Sequence, residues 1–377
     1  MALTTGKRVA ITVLVLAAFG GALTFALRGQ QQTRIEQQET AAAVAMGDIK
    51  GLIALDVEGY FKDKRVVEAL ARHKLPVAVT RIGSRDMASK VVPGSTPDFF
   101  LSSGVVAANQ IVEAARKANL PATQSAPFHS PLVIASWEPI AQILVRNGMA
   151  KPLAPKVYGL DMAKLTQAML ARKRWKDLTG SEAYPVSRSV LVSTTDLRRS
   201  NSGALYLALT SHALEGDIVT DRATAQKAAT RLAELFKRQG YQENYVDGNF
   251  DDYVAIGIGK TPMAFIYEFQ LVRHALVKGG IGSDMVLMYP QPTIVNKEVF
   301  VAMSERGKAL AAALASDPQL QAVAVEYGFR IADTARFMST LEPTGLAVEP
   351  RVTQVIDPPS AEIMAEMIDI VAREMAQ

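Results

Sequence analysis

Short apolar runs alternate with amphipathic helical stretches along this chain, and that alternation constrains its fold more than any other feature. Residues 49–55 (IKGLIAL) read as a strand. Residues 62–73 follow with Val66, Val67, Leu70 and Ala71 at helical spacing. Pro76-Val77-Ala78-Val79 reads as a second strand, and Pro97-Asp98-Phe99-Phe100-Leu101 as a third that runs into a helix over 105–119. Strands alternating with helices predict an α/β protein with a parallel, doubly wound sheet, in which ligands sit beyond the carboxyl ends of the strands. Three polar loops fall at such ends, at Glu58-Gly59, Ser84-Arg85 and Ser102-Ser103. One such loop means little; three in register suggest a cleft.

A second αβ series begins at Leu132-Val133-Ile134-Ala135, a strand, followed by a helix over 140–147. Helices are expected over 162–172, 223–239, 306–315, 318–327 and 361–376, and strands at Met263-Ala264-Phe265-Ile266, Val286-Leu287-Met288 and Pro292-Thr293-Ile294-Val295. Within this series, Val190-Leu191-Val192 reads as a buried strand, and Ser200-Asn201-Ser202-Gly203 opens a helix carrying Leu205, Leu209 and Leu214. Serine and asparagine cap helices, and a glycine lets other atoms approach the backbone. The free N–H groups of that first turn make Ser202 and Gly203 a candidate anion seat, although an ordinary capped helix explains the same residues.

Other motifs fail on spacing. Gly257-Ile258-Gly259-Lys260-Thr261 resembles a phosphate loop, but position 254 is Val where the first glycine belongs, and Pro262 interrupts the helix that must follow. His73, His129, His212 and His274 are scattered without metal-ligand spacing. The run from Asp247 to Asp252 lacks the bidentate glutamate of a calcium loop and reads as a solvated acidic turn. No nucleophile elbow accompanies His129-Ser130. Neither a metal, a cofactor nor a catalytic constellation is expected.

The 377 residues suffice for two domains or one large α/β unit. A net charge of +4, from 41 basic and 37 acidic residues, leaves no basic stripe for nucleic acid. The chain has no cysteine, which excludes disulfides, thiolate chemistry and a lipidated cysteine anchor. Lys7-Arg8 precede an uncharged run over 9–27, closed by Arg28. About 19 apolar residues span the hydrocarbon core as a helix. Secretory signals have a shorter apolar region and a small-x-small cleavage site, which Thr24-Phe25-Ala26 matches poorly. An uncleaved signal anchor is therefore favoured over a cleaved signal, with a Gln-rich spacer over 30–40 and the bulk of the chain outside the cytoplasm. Residues 1–46 form the cytoplasmic tip, single-pass transmembrane helix and spacer in this reading.

The order of several motifs carries a family likeness. Asp56-Val57-Glu58-Gly59-Tyr60-Phe61, Gly83-Ser84-Arg85, Pro97-Asp98-Phe99, Ser102-Ser103, the run from Pro131 to Trp137, Ser200-Asn201-Ser202-Gly203 and Tyr267-Glu268 resemble bacterial extracellular solute-binding proteins. Tyr289-Pro290-Gln291-Pro292-Thr293 and Gly328-Phe329-Arg330 add to the match, which resembles the type II periplasmic-binding-protein fold of the molybdate and sulfate binders. The resemblance implies two lobes closing on a ligand: lobe one of residues 47–135 plus 293–377, lobe two of residues 136–292. It also implies ligand contacts at Glu58, Ser84, Ser102, Ser103, Trp137, Ser202 and Tyr267. Glu58 and Glu268, if both face the cleft, would repel a bare oxyanion and suit a ligand with a cationic or hydroxyl part, or a metal-bound anion. The expected function is capture of a small polar, partly anionic ligand in the periplasm for ABC transport through a membrane permease, without catalysis. The alternative is an envelope sensor or scaffold that passes lobe closure to a membrane partner; an enzyme on the same fold is a third reading.

Overall fold

The computed structural model describes residues 47–240, 242 and 247–376. Its strands, in chain order, are β1 (Ile49–Ile53), β2 (Val77–Arg81), β3 (Phe99–Ser103), β4 (Thr123–Trp137), β5 (Ala150–Ala154), β6 (Val157–Asp161), β7 (Met263–Tyr267), β8 (Met285–Gln291) and β9 (Val295–Ala302). Helices α1 (Glu58–Lys62) and α2 (Lys64–Arg72) precede β2, α3 (Val105–Lys117) precedes β4, and α4 (Glu138–Arg146) and α5 (Met162–Leu170) flank the β5–β6 pair. Helices α6 (Asn201–Glu215), α7 (Arg222–Lys237) and α8 (Gly248–Ile256) lead to β7, and α9 (Glu268–Lys278) follows it. The chain closes with α10 (Glu305–Ser316), α11 (Pro318–Glu326), α12 (Thr334–Leu341) and α13 (Ala361–Met375).

The strands form one mixed sheet in the order β2-β1-β3-β9-β4-β8-β6-β5, with β7 also paired to β4. The expected parallel arrangement holds for β1 with β2 and β3, and for β6 with β8. It fails in the middle, where β9 runs antiparallel to β3 and β4, and β4 runs antiparallel to β7 and β8. At 15 residues, β4 is long enough to serve two halves of the sheet. Thr123 to Pro131 pair with β9, and Leu132 to Trp137 pair with β7 and β8. Where the chain crosses back between β8 and β9, the Leu132 N–H donates to the Ile294 carbonyl at 2.9 Å and the Thr293 hydroxyl to the Leu132 carbonyl at 2.7 Å.

Several local expectations change. The first half of β4 carries Pro127 and Pro131 and shows no clean alternation, so it does not read as a strand; a register shift between Ser125 and Phe128 accommodates it. Strand β9 begins at Val295, where the sequence pattern placed a strand's end. Val190 and Val192 are buried, yet that segment joins the sheet only through a bridge from Ser193 to Ala264. The acidic run at Asp247 enters helix α8 instead of remaining a turn. The expected anchor over 9–27 lies outside the described residues, among which no helix is long and apolar enough to cross a membrane.

Packing explains the helices that pattern alone leaves ambiguous. In the β1–β3 half, Phe99 stacks on Phe300 with ring centroids 4.7 Å apart, and Phe99 lies so close over Gly51 that any side chain there would strike its ring. In the other half, Tyr206 of α6 meets Phe236 of α7 and Phe265 of β7 edge-on. Every residue of α6 from Ser202 to Ser211 is buried, so this helix is central and has no solvent face to produce amphipathic spacing. Beyond Arg330 the tail runs to α13, which packs on α7, with Arg222 2.5 Å from Glu362 and Lys237 3.7 Å from Glu374.

Candidate functional site

The chain's most unusual polar chemistry collects where both halves of the sheet present strand ends. From the β1–β3 half, Asp56 stands in the turn after β1, Ser103 ends β3, and Asn296 and Glu298 project from the start of β9. The Asn296 side-chain amide donates to Ser103 Oγ at 2.9 Å and to Glu298 Oε1 at 2.8 Å. Ser103 Oγ lies 3.4 Å from Glu298 Oε1 and also reaches Asp56 and the Tyr267 hydroxyl. From the other half, Asn201 at the start of α6 donates to the Tyr267 hydroxyl at 3.1 Å. Gln270 fixes the start of α9 by accepting from the Tyr267 N–H at 2.9 Å, and its own amide donates to Asp247 Oδ1 at 2.9 Å.

Two acids at this point cannot both carry charge cheaply. Burial pushes the Asp56 carboxyl up to about 6, the Ser103 hydroxyl partly offsets that, and the Asp247 charge adds to it. Burial, then the charge of Asp56, lifts Glu298 well above the usual carboxylate range. Tyr267 is raised by burial first and by Asp56 second. Asp56 as a residue is half-buried, although its carboxyl is desolvated, whereas Glu298 is 1% exposed. Asn296 Oδ1 is a buried acceptor, and Glu298 Oε2 a buried carboxyl oxygen that carries a proton in the neutral form; neither has a hydrogen-bond partner among the described residues. A buried polar oxygen left without a partner costs free energy, which sets these two apart from the satisfied groups around them.

The sequence-predicted site residues divide between this cluster and other duties. Ser103 and Tyr267 belong to it, and Ser84 supports it by accepting from the Ser103 N–H at 3.1 Å. Glu58 stands apart, ion-paired to Lys62 at 2.6 Å and Arg81 at 3.3 Å. Ser102 is wholly buried, with only contacts of 3.5 Å to backbone carbonyls. Trp137 is a core residue that donates to the Thr261 carbonyl at 3.0 Å and packs on Tyr253. Ser202 bonds the Thr195 hydroxyl at 2.7 Å and the Ser200 hydroxyl at 3.0 Å. At Gly203 a Cβ would stand 2.8 Å from Leu197 Cα and closer still to the Thr195 carbonyl, so that glycine admits a protein loop against α6. Glu268 is internal, held by Arg330 at 2.6 and 2.8 Å and by the Tyr289 hydroxyl at 2.5 Å. The supposed repulsive pair Glu58 and Glu268 is thus replaced by Asp56 and Glu298.

Sequence reasoning missed Asp56, Asn201, Asp247, Gln270, Asn296 and Glu298 as site residues. Asp56 was within reach, at the head of the motif that drew attention to Glu58. Asn296 and Glu298 alternate with Val295, Lys297 and Val299, a period-2 pattern that marks two polar side chains on one face of a strand. Above the cluster, Arg85 donates to the Arg198 carbonyl at 3.4 Å and links the loop after β2 to the loop before α6. No group of three or more metal-ligating acids or histidines occurs among the described residues.

No family model matches the chain, and no curated protein sequence matches it. Solved structures do. A periplasmic binding protein, AfuA from Actinobacillus pleuropneumoniae with exogenous fructose-6-phosphate bound, superposes with a TM-score of 0.53 at 13% identity, covering 87% of this chain and 98% of that one. Iron-bound HitA from Pseudomonas aeruginosa gives 0.52 at 12% identity over 86% and 98%. An extracellular solute-binding protein from Bordetella parapertussis, itself assigned only provisionally, gives 0.52 at 10% identity over 87% and 99%. At such identities the likeness speaks for architecture alone. The chain has the fold of the type II periplasmic solute-binding proteins.

Proposed function

We propose that this chain is an extracytoplasmic solute-binding protein, held to the cytoplasmic membrane by the apolar run over 9–27, that captures a small polar ligand for a transport permease. One observation carries the reading. Asp56, Ser103, Asn296 and Glu298 from one half of the sheet meet Asn201 and Tyr267 from the other, at the strand ends where such folds take ligands. Lobe one comprises β1 to β3, β9 and the first part of β4; lobe two comprises the remaining strands. Helix α13 rides with lobe two because it packs on α7.

The acids select the ligand. Asp56, pushed up to about 6 and therefore charged at neutral pH, accepts from hydroxyl or ammonium groups and disfavours a bare oxyanion. An anionic part of the ligand belongs toward Arg85, which links the loop after β2 to the loop before α6. Iron in one similar structure and fructose-6-phosphate in another mean that the fold does not choose between ligand classes. The test is mass spectrometry of small molecules that co-purify with the full chain in non-ionic detergent, followed by calorimetry with the molecule found. Asp56→Asn and Tyr267→Phe are each expected to weaken it by about tenfold or more. Unchanged affinity in both variants would move the site elsewhere.

A further inference from the structure

The hinge strands have a second side, and its chemistry is opposite to that of the cleft. In the antiparallel pairing of β4 with β9, His129 stands opposite Lys297, Ser130 opposite Asn296 and Pro131 opposite Val295. Directly opposed residues share a face, and neighbours along a strand alternate faces. Asn296 and Glu298 look into the cleft, so Lys297, His129, Pro131 and Val295 look away from it. There they line a cavity of about 490 Å³, closed by the Arg330 turn, α12 and the tail around Arg351. That volume lies within the range of small-molecule sites.

The charges in this cavity are uneven. Arg330 is spent internally: it pairs with Glu268 and donates to the Pro350 carbonyl at 3.1 Å and the Glu349 carbonyl at 2.5 Å. Lys297 and Arg351 are exposed, and among the described residues neither pairs with a carboxylate. No carboxylate is among the lining residues, although Glu349 Oε1, beside the wall, accepts from the Arg351 backbone N–H at 3.3 Å. Burial, then the field of Arg330, hold His129 below the usual imidazole range against an opposing field from Glu268, with Lys297 adding to the lowering, so it adds a neutral polar edge. The tail that forms one wall is tied to the crossing point of the hinge, where the Thr293 N–H donates to the Gln354 carbonyl at 2.8 Å and the Ile356 N–H to the Thr293 carbonyl at 2.9 Å.

We propose that this cavity is a second ligand site, for a small organic anion whose charge lies between Lys297 and Arg351 and whose apolar body rests on Pro131 and Val295. Two exposed cations bordering one cavity with an apolar floor favour that class over neutral or cationic molecules. The site goes beyond the cleft reading and does not depend on it.

Phenyl phosphate is the probe, with benzyl alcohol as its neutral counterpart, titrated calorimetrically into the full chain in non-ionic detergent. Phenyl phosphate is expected to bind at one saturable site, benzyl alcohol not to bind, and Lys297→Gln/Arg351→Gln to weaken phenyl phosphate by about tenfold or more. Both replaced side chains are exposed, so the double variant should melt with the wild type. A second readout needs no variant: saturating phenyl phosphate should protect Lys297, among the surface lysines, from acetylation by a water-soluble active ester. Absence of saturable binding at millimolar probe, equal affinity in the double variant, or unprotected Lys297 would each overturn the assignment.

Discussion

Removing the Arg330 guanidinium tests how the interior is held. Arg330→Met keeps much of the side-chain volume and deletes the charge. In the native protein, Nε and Nη2 pair with the two oxygens of Glu268 at 2.6 and 2.8 Å, and both groups are buried, at 6% and 0% exposure. Glu268 also accepts from the Tyr289 hydroxyl at 2.5 Å. Without arginine the carboxylate keeps that one neutral donor and no countercharge. Breaking a buried pair from one side costs about 3–5 kcal/mol, mostly because the survivor stays buried and charged. Loss of the bonds to the Glu349 and Pro350 carbonyls adds to this. Against a total stability of about 5–15 kcal/mol the loss is large. Urea unfolding, followed through the buried Trp137 and Trp175, should show a lower midpoint with an unchanged slope. The double variant Glu268→Gln/Arg330→Met should recover part of the loss, since no charge is then stranded. A single variant within about 1 kcal/mol of wild type, or a double variant worse than the single, would refute the account.

Gly203→Ala should lower stability by about 1–3 kcal/mol, because its Cβ meets the Thr195–Leu197 backbone; a melting temperature equal to wild type would show that the loop can retreat. Asp56 ionises less readily when folded than unfolded, so its stabilisation is full below about pH 4 and is lost as pH rises through about 6; Asp56→Asn should remove that slope from unfolding measured across the window. An unchanged slope in the variant would assign the titration to another group. Carbonate washing of membranes should leave the full chain in the pellet if residues 9–27 anchor it, whereas a soluble mature form would mean cleavage.

How much of this was legible depends on how local each signal is. The αβ alternation, the start of β3 and the helices over α3, α7, α10, α11 and α13 follow from period and capping within a dozen residues, so sequence alone finds them. The resemblance to solute-binding proteins came from the order of motifs and matches the architecture seen. The antiparallel crossing of β4 and β9 was not legible. Its strand half contains two prolines, and its pairing joins residues 123–131 to 295–302, a separation over which no local pattern acts.

The site shows the same division. Residue types at loop positions drew attention to Ser103 and Tyr267, but nothing in the sequence distinguishes Asp56 in the cluster from Glu58 paired outside it. The two stand two residues apart, and only the path of the turn after β1 sends one inward and the other toward Lys62 and Arg81. Glu268 looked like a ligand group until Arg330, 62 residues later, occupied both of its oxygens. By itself the sequence determined the elements and the kind of fold, because hydrophobic periodicity and capping are short-range. Which acids are crowded together and which pair off was decided by tertiary structure, because charge interactions act through space and are set by what burial brings within a few ångströms.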